Sequence, residues 1–195
     1  MAFDLTDVIP LIILIAWKWF QPKAMSEKQR TWYRRKMVEL FPEQSWVQIP
    51  DYVFPFVWKS LHIFDALSLF FFYKFTELNV APVQVENWTK PAVFGVWMAV
   101  DCMSKSWGPI FFYYRWFGIA LGVSLGMFFT QALYIAFLLV AQFQYTLLGY
   151  LWYVPFIFAL PTMCWLFFAN FLGYTWYAAA TPNSSTSDYQ EMKEK

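Results

Sequence analysis

Four runs of apolar residues, each long enough to cross a bilayer as a helix, follow one another with little between them: about Val53–Tyr73, Pro91–Tyr114, Trp116–Val140 and Tyr145–Ala180. A hydrocarbon core takes ~20 such residues per helical crossing, and inside it every backbone N–H and C=O has to be satisfied by the chain itself. A fifth, shorter run extends from Leu5 to about Phe20 and contains Pro10, which a helix accepts near its start, where the missing N–H has no partner to lose. These runs predict an all-α integral membrane protein, an up-down bundle of five transmembrane helices at about 5–20, 53–73, 91–114, 116–140 and 145–180. Charged residues make up 14% of the chain, well below the ~25% of soluble domains.

The connections at Arg115 and at Ala141–Gln144 are so short that the helices they join must run antiparallel and pack side by side. Residues 1–181 read as a single membrane domain and 182–195 as a flexible polar tail. The one long hydrophilic stretch, 21–52, is a candidate lid. Its middle, Ser26 to Leu40, predicts a short amphipathic helix at the interface with Ser26 as cap. Lys23, Lys28, Arg30, Arg34, Arg35 and Lys36 fall in this loop, and Arg115, Lys193 and Lys195 share its face, against Lys74 and Lys90 opposite. The positive-inside rule places the loop and the carboxyl terminus on the cytoplasmic or equivalent side. Asp4 and Asp7 with no basic residue before Lys18 resemble neither a signal nor a transit peptide, so this start is expected to stay on the mature protein. Two N-x-S/T sequons, at Asn87 and Asn183, are open to either chance or glycosylation.

A net charge of +1 excludes nucleic acid as a partner, because phosphate binding needs a concentrated basic face. Cys102 and Cys164 both lie in apolar runs without metal-ligand spacing, and no metal site is expected. His62 is the single histidine and stands beside no motif serine or cysteine. No phosphate loop, HExxH or CxxC occurs, so no catalytic residue is assigned and the chain does not read as an enzyme.

Two features carry chemistry. Lys59, His62 and Asp65 recur every three residues in the second run, so that all three are expected on much the same face, and Asp101 and Lys105 form an i,i+4 pair in the third. Such groups face a bundle interior or a wet cavity. They are either a polar cavity floor that receives a ligand carboxylate or conducts protons, or acids and bases that neutralise one another, Asp101 with Lys105 and Asp65 with Lys59 or a cation of a neighbouring helix. The second feature is aromatic: 12 Trp, 23 Phe and 12 Tyr, with Trp58, Trp97, Trp107 and Trp165 in mid-segment. Rings of this kind line a pocket for a flat apolar ligand, or are simply packing material. Trp17, Trp19, Trp32, Tyr33, Tyr113, Tyr114, Trp176 and Tyr177, near segment ends, read as interfacial anchors.

Three stretches resemble the tryptophan-rich sensory protein family, also called translocator or peripheral benzodiazepine receptor proteins. WVQIPDYVFPFVWKSLH matches the family's motif entering the second helix at Trp46, Pro50, Phe54, Val57, Trp58 and Leu61. SKSWGPIFFYYRWFGIAL matches that between the third and fourth helices at Trp107, Pro109, Phe111, Phe112, Arg115, Gly118, Ala120 and Leu121. PTMCWLFFANFLGY matches the fifth-helix motif at Pro161, Trp165, Phe168, Ala169 and Leu172. The chain departs from the family at Ser104 and Gly173, where Asn is usual, at His62 and Thr162, where Tyr is usual, and at Ile49, in place of one proline. No basic residue follows Leu172 and Tyr174 until Lys193, so the sterol motif proposed for the family is incomplete.

The resemblance implies a membrane receptor or carrier for a porphyrin or haem-like tetrapyrrole such as protoporphyrin, or for a sterol or other bound lipid. Trp58, Trp107, Trp165 and Ala169 would line the pocket and Trp46 would belong to the lid. It also implies homodimers and, in a eukaryote, a mitochondrial membrane; porphyrin degradation assisted by tryptophan is suggested for some members. The alternative is a structural accessory subunit of a larger membrane complex, one that keeps the packing surfaces of the fold and has lost the ligand.

Five crossings put the loop and the tail on one side. Single cysteines introduced at Ser26 and at Ser187, with Cys102 and Cys164 replaced, should label from the same side of a sealed membrane. Labelling from opposite sides would require an even number of crossings.

Overall fold

The computed structural model describes residues 9–13, 15–16, 25–43, 47–77, 89–144 and 153–180. Residues 9–13 and 15–16 are helical, and the rest of the first expected crossing lies outside the described residues. Five further helical elements follow: α1 (Glu27–Leu40), α2 (Val53–Glu77), α3 (Thr89–Gly108), α4 (Phe117–Gln144) and α5 (Tyr153–Ala180), with a π-helical turn, Pro109–Tyr114, continuing α3. No strand occurs among the described residues. Three segments are long and apolar enough to cross a membrane, Val53–Thr76, Phe117–Val140 and Tyr153–Ala180. The expected crossing at 91–114 is helical too, but Lys90, Asp101 and Lys105 lower its apolar character. The expected lower part of the fifth run, 145–152, lies outside the described residues.

α1 begins where the sequence predicts. Ser26 and Gln29 form a reciprocal capping box: the Ser26 N–H donates to Gln29 Oε1 at 2.5 Å and the Gln29 N–H donates to Ser26 Oγ at 3.4 Å. At its other end the Gln48 side chain donates to the carbonyl of Phe41 at 2.6 Å and so folds the following loop back on the helix.

Contacts between helices alternate in direction along the chain. Ser124 meets Asn170, Gln131 meets the Ala159 carbonyl, and Tyr134 and Pro155 meet at Ser68, so α4 and α5 run antiparallel. Asp65–Thr162 and Phe71–Phe158 set α2 antiparallel to α5, and the Phe111–Phe117 contact turns α4 back on α3. α5 packs on both α2 and α4, α4 on both α3 and α5, whereas α2 and α3 barely touch each other. The gap between them is filled by aromatic rings.

The π turn follows from Pro109. A proline at this position has no N–H to close on the carbonyl four residues back and its ring crowds that carbonyl, so the ladder slips by one residue. The widened turn lets the consecutive Phe111 and Phe112 both be buried. Arg115 ends it in the left-handed region (φ 58°, ψ 30°), a conformation that costs a non-glycine residue ~1 kcal/mol or more. The Trp116 N–H then donates to the Ile110 carbonyl at 3.2 Å, closing the turn and releasing α4 in the opposite direction.

The buried interior has three levels. One apolar core, including Phe54, Trp107, Met127 and Leu166, sits beneath α1. A second, including Leu69, Trp97, Tyr134 and Ala159, fills the far end. Between them lie buried polar groups from every long helix: His62, Asp65 and Ser68 of α2, Asp101 of α3, Gln131 of α4 and Thr162 of α5. In an apolar medium an unpaired group of this kind is expensive, so these contacts fix the vertical register of the helices. Ser68 joins three helices: its hydroxyl donates to the Pro155 carbonyl at 2.7 Å and shares a 2.9 Å hydrogen bond with Tyr134 Oη. Ser68→Ala should lower stability in detergent by about 1 kcal/mol, read as a fall in the thermal midpoint. An unchanged midpoint would show that this node does not hold the three helices together.

Candidate functional site

Rings from four elements meet beneath α1. Phe54 and Trp58 come from α2, Trp107 and Phe111 from α3 and its π turn, Trp165, Ala169 and Trp176 from α5, and Tyr33 from α1 covers the end. Trp58 lies 6.4 Å from Trp107 and 6.5 Å from Trp165, centroid to centroid, and Phe54 makes an edge contact with Trp165 at 6.4 Å. The slot they enclose holds about 20 Å³ of free space, room for roughly one water molecule. Pockets that take drug-sized ligands measure ~300–1,000 Å³, so the slot as it stands is too small for one. Two of its donors are stranded: the indole N–H groups of Trp165 and Trp176 are buried and find no acceptor among the described residues.

The cover is well anchored. Tyr33 is fully buried, stacks on Trp176 at 5.3 Å with the ring planes 16° apart, and donates its hydroxyl to the Ile49 carbonyl at 3.1 Å. Burial, reinforced by the Asp51 carboxylate, raises the Tyr33 pKa above its ordinary value of 10.0, so the hydroxyl keeps its proton and stays a donor. Arg34 grips Asp51 with both ends of its guanidinium fork, Nη2 reaching Oδ2 at 2.9 Å and Oδ1 at 3.1 Å and Nε reaching Oδ1 at 3.2 Å, while Arg30 lies 3.8 Å away. Asp51 stands two residues before α2, so this clamp ties the cover to the start of the bundle. Phe41 presses on Trp176 at 5.3 Å, and Trp32 lies between Phe117, stacked at 6.2 Å, and the Arg115 guanidinium, 4.7 Å over its ring.

Four of the expected pocket residues, Trp58, Trp107, Trp165 and Ala169, thus share one slot, and Trp46 lies outside the described residues. Tyr33 and Trp176, which read in the sequence as interfacial anchors, are buried parts of it. A ring at a segment end has the same sequence signature whether it faces lipid headgroups or folds inward, so only the path of the loop separates the two. Asn170 was also missed. Its amide donates to the carbonyls of Leu166 and Ser124 and accepts from the Ser124 hydroxyl, joining α4 to α5 beside the slot. An asparagine within a run this apolar was the available signal.

The expected polar cluster divides. Asp101 and Lys105 form the i,i+4 pair, Nζ to Oδ2 at 2.6 Å, with the carboxylate fully buried and the lysine side chain 35% exposed. Lys59, however, lies on the exposed side of α2, while His62 and Asp65 are buried. Six residues of α-helix turn through ~600°, which sets positions 59 and 65 about a third of a turn apart; the expectation that all three share a face is corrected accordingly. Asp65 accepts a 2.8 Å hydrogen bond from Thr162, so an α5 hydroxyl meets it inside the bundle. His62 lies against Trp58, 6.0 Å between ring centroids, at the boundary of slot and polar layer. Ser104 turns to its own helix, donating to the Asp101 carbonyl, and Gly173 borders the slot. No cluster of metal-ligating side chains occurs among the described residues.

No family model, characterised protein or solved structure gives a significant match to this chain.

The geometry of Asp101 predicts a rescue experiment. Asp101→Asn should destabilise the bundle by about 1–3 kcal/mol, less than for a fully dry pair because Lys105 reaches solvent, and Lys105→Met added to it should recover much of the loss. Thermal midpoints of the two single variants and the double variant give the coupling directly. Additive losses would mean that the pair contributes nothing.

Proposed function

We propose that the chain is a five-span bundle of translocator-protein type that receives a flat, apolar ligand, a tetrapyrrole such as protoporphyrin or a sterol-like lipid, in the aromatic slot beneath α1. One observation carries the reading: tryptophans from three helices surround a slot, and the buried N–H groups of two of them, Trp165 and Trp176, have no acceptor among the described residues. A native interior strands such donors rarely, and a ligand bearing carboxylate, carbonyl or ring-nitrogen acceptors would satisfy them while its flat face stacked on Trp58 and Trp107. Entry requires the cover to lift and the α2–α3 gap to widen, since about 20 Å³ admits no such molecule. The Arg34–Asp51 clamp adds to the cost of that opening, and the observed affinity is the intrinsic one reduced by the fraction of open protein. The residues act by binding and enclosure, and no chemical step on the ligand is part of the reading. In a eukaryote the resemblance points to a mitochondrial membrane, with α1 and the carboxyl terminus on its positively charged side and a second copy of the chain as partner.

The closed slot favours a second reading, an accessory subunit of a larger membrane complex in which the rings serve only as packing. Quenching of tryptophan fluorescence by protoporphyrin separates the two. Trp58→Ala and Trp107→Ala should each weaken binding by about 1–3 kcal/mol, whereas Arg34→Gln should tighten it several-fold by loosening the cover. Quenching that is the same in the wild type and all three variants would indicate partition into detergent and leave the accessory role standing.

A further inference from the structure

A second concavity, independent of the slot, lies on the outer side of α1 and has a different chemistry. It is an open groove of about 640 Å³ between the first turns of α1 and the α3–α4 turn. Lys28, Arg35 and Arg115 bring three cations to it and Glu27 one anion, while Trp32 and Tyr113 supply aromatic surface. The Nε of Arg115 is buried and has no hydrogen-bond partner among the described residues. Neither Lys28 nor Arg35 has an ion pair among the described residues. The neighbouring basic residues behave otherwise: Arg30 and Arg34 are paired to Asp51 and Lys36 to Glu39. The groove therefore brings together three cations that have no carboxylate partner among the described residues.

Arg115 is also held there at a cost. It adopts the left-handed conformation (φ 58°) that favours glycine, at a turn where glycine would serve the backbone better. Strain of this kind persists where the side chain has work to do. Beside the groove, Tyr113, Tyr114 and Trp116 are exposed at 66%, 45% and 52%, a cluster suited to the headgroup level of a membrane. Basic pockets at helix ends on the positive side of a membrane take the phosphate of anionic lipids, with the aromatic floor against the glycerol and upper acyl carbons. The open volume is far larger than a lone phosphate ion fills.

We propose that this groove binds the phosphate of an anionic phospholipid, with Arg115, Lys28 and Arg35 as its ligands. Two variants separate recognition from folding. Arg115→Gly removes the guanidinium while relieving the backbone, and Lys28→Gln with Arg35→Gln alters only exposed side chains. The full chain in neutral detergent, offered phosphatidylglycerol or phosphatidylcholine, should retain the anionic lipid about tenfold or more over the zwitterionic one, as counted by native mass spectrometry. Both variants should lose that preference and keep their helix content, and Lys28→Gln with Arg35→Gln, which touches none of the cover's contacts, should also keep its protoporphyrin response. Equal retention of the two lipids by the wild type, or a preference that survives in both variants, would overturn the assignment. Millimolar inorganic phosphate that displaces phosphatidylglycerol completely and stabilises the protein as strongly would identify free phosphate as the occupant and overturn the lipid.

Discussion

Polar groups buried in an apolar surround must find partners, and the architecture depends on how this chain meets that demand. Ser68, Asp65, Gln131 and Thr162 lie near the middle of their helices, and their contacts with one another and with the carbonyls of Ala159 and Pro155 are possible at only one vertical setting. Dispersion alone would let one apolar helix slide past another, because lipid tails and leucine side chains are alike to it. The polar layer removes that freedom. With the helices locked in register, the aromatic residues on one side of the layer form one core and those on the other side form a second.

The upper core is the less complete of the two. α2 and α3 do not close against each other, and the rings of Trp58, Trp107 and Phe54 bridge the space between them. Sealing then falls to α1, which buries Tyr33 and Trp32 there and is fastened by charge at its solvent side through Arg34 and Asp51. A partly exposed clamp of this kind contributes ~1 kcal/mol, so most of what holds the cover down is the burial of Tyr33, Trp32 and Phe41. The same helix presents its opposite edge to the cationic groove, with Trp32 shared between the two sides through its contact with Arg115.

Local rules made part of this legible in the sequence. The Ser26 cap, the Asp101–Lys105 pair and the apolar runs of α2 and α4 depend on residues within one or two turns of each other, and they stand where the spacing placed them, as does the part of α5 from Tyr153 on. The convergence of Trp58, Trp107, Trp165 and Ala169 is a long-range feature, expected from a resemblance of motifs and not from any spacing along the chain. What no local pattern disclosed are the pairings across the fold: Tyr33 with Trp176, Arg34 with Asp51, Ser124 with Asn170, and Ser68 with Pro155. The misplacement of Lys59 has a different origin, since a three-residue repeat drifts off a helical face within two steps.

The position of α5 between α2 and α4 bears on the order in which the molecule is made. Ribosomes deliver α2 and α4 to the membrane before α5 exists, yet Ser68 takes the Pro155 carbonyl, Asp65 the Thr162 hydroxyl and Gln131 the Ala159 carbonyl, all of them from α5. Until α5 has been made, these side chains are without those bonds. The two helices therefore settle around one made after both of them, and a nascent chain halted before residue 153 lacks the element against which both α2 and α4 are set.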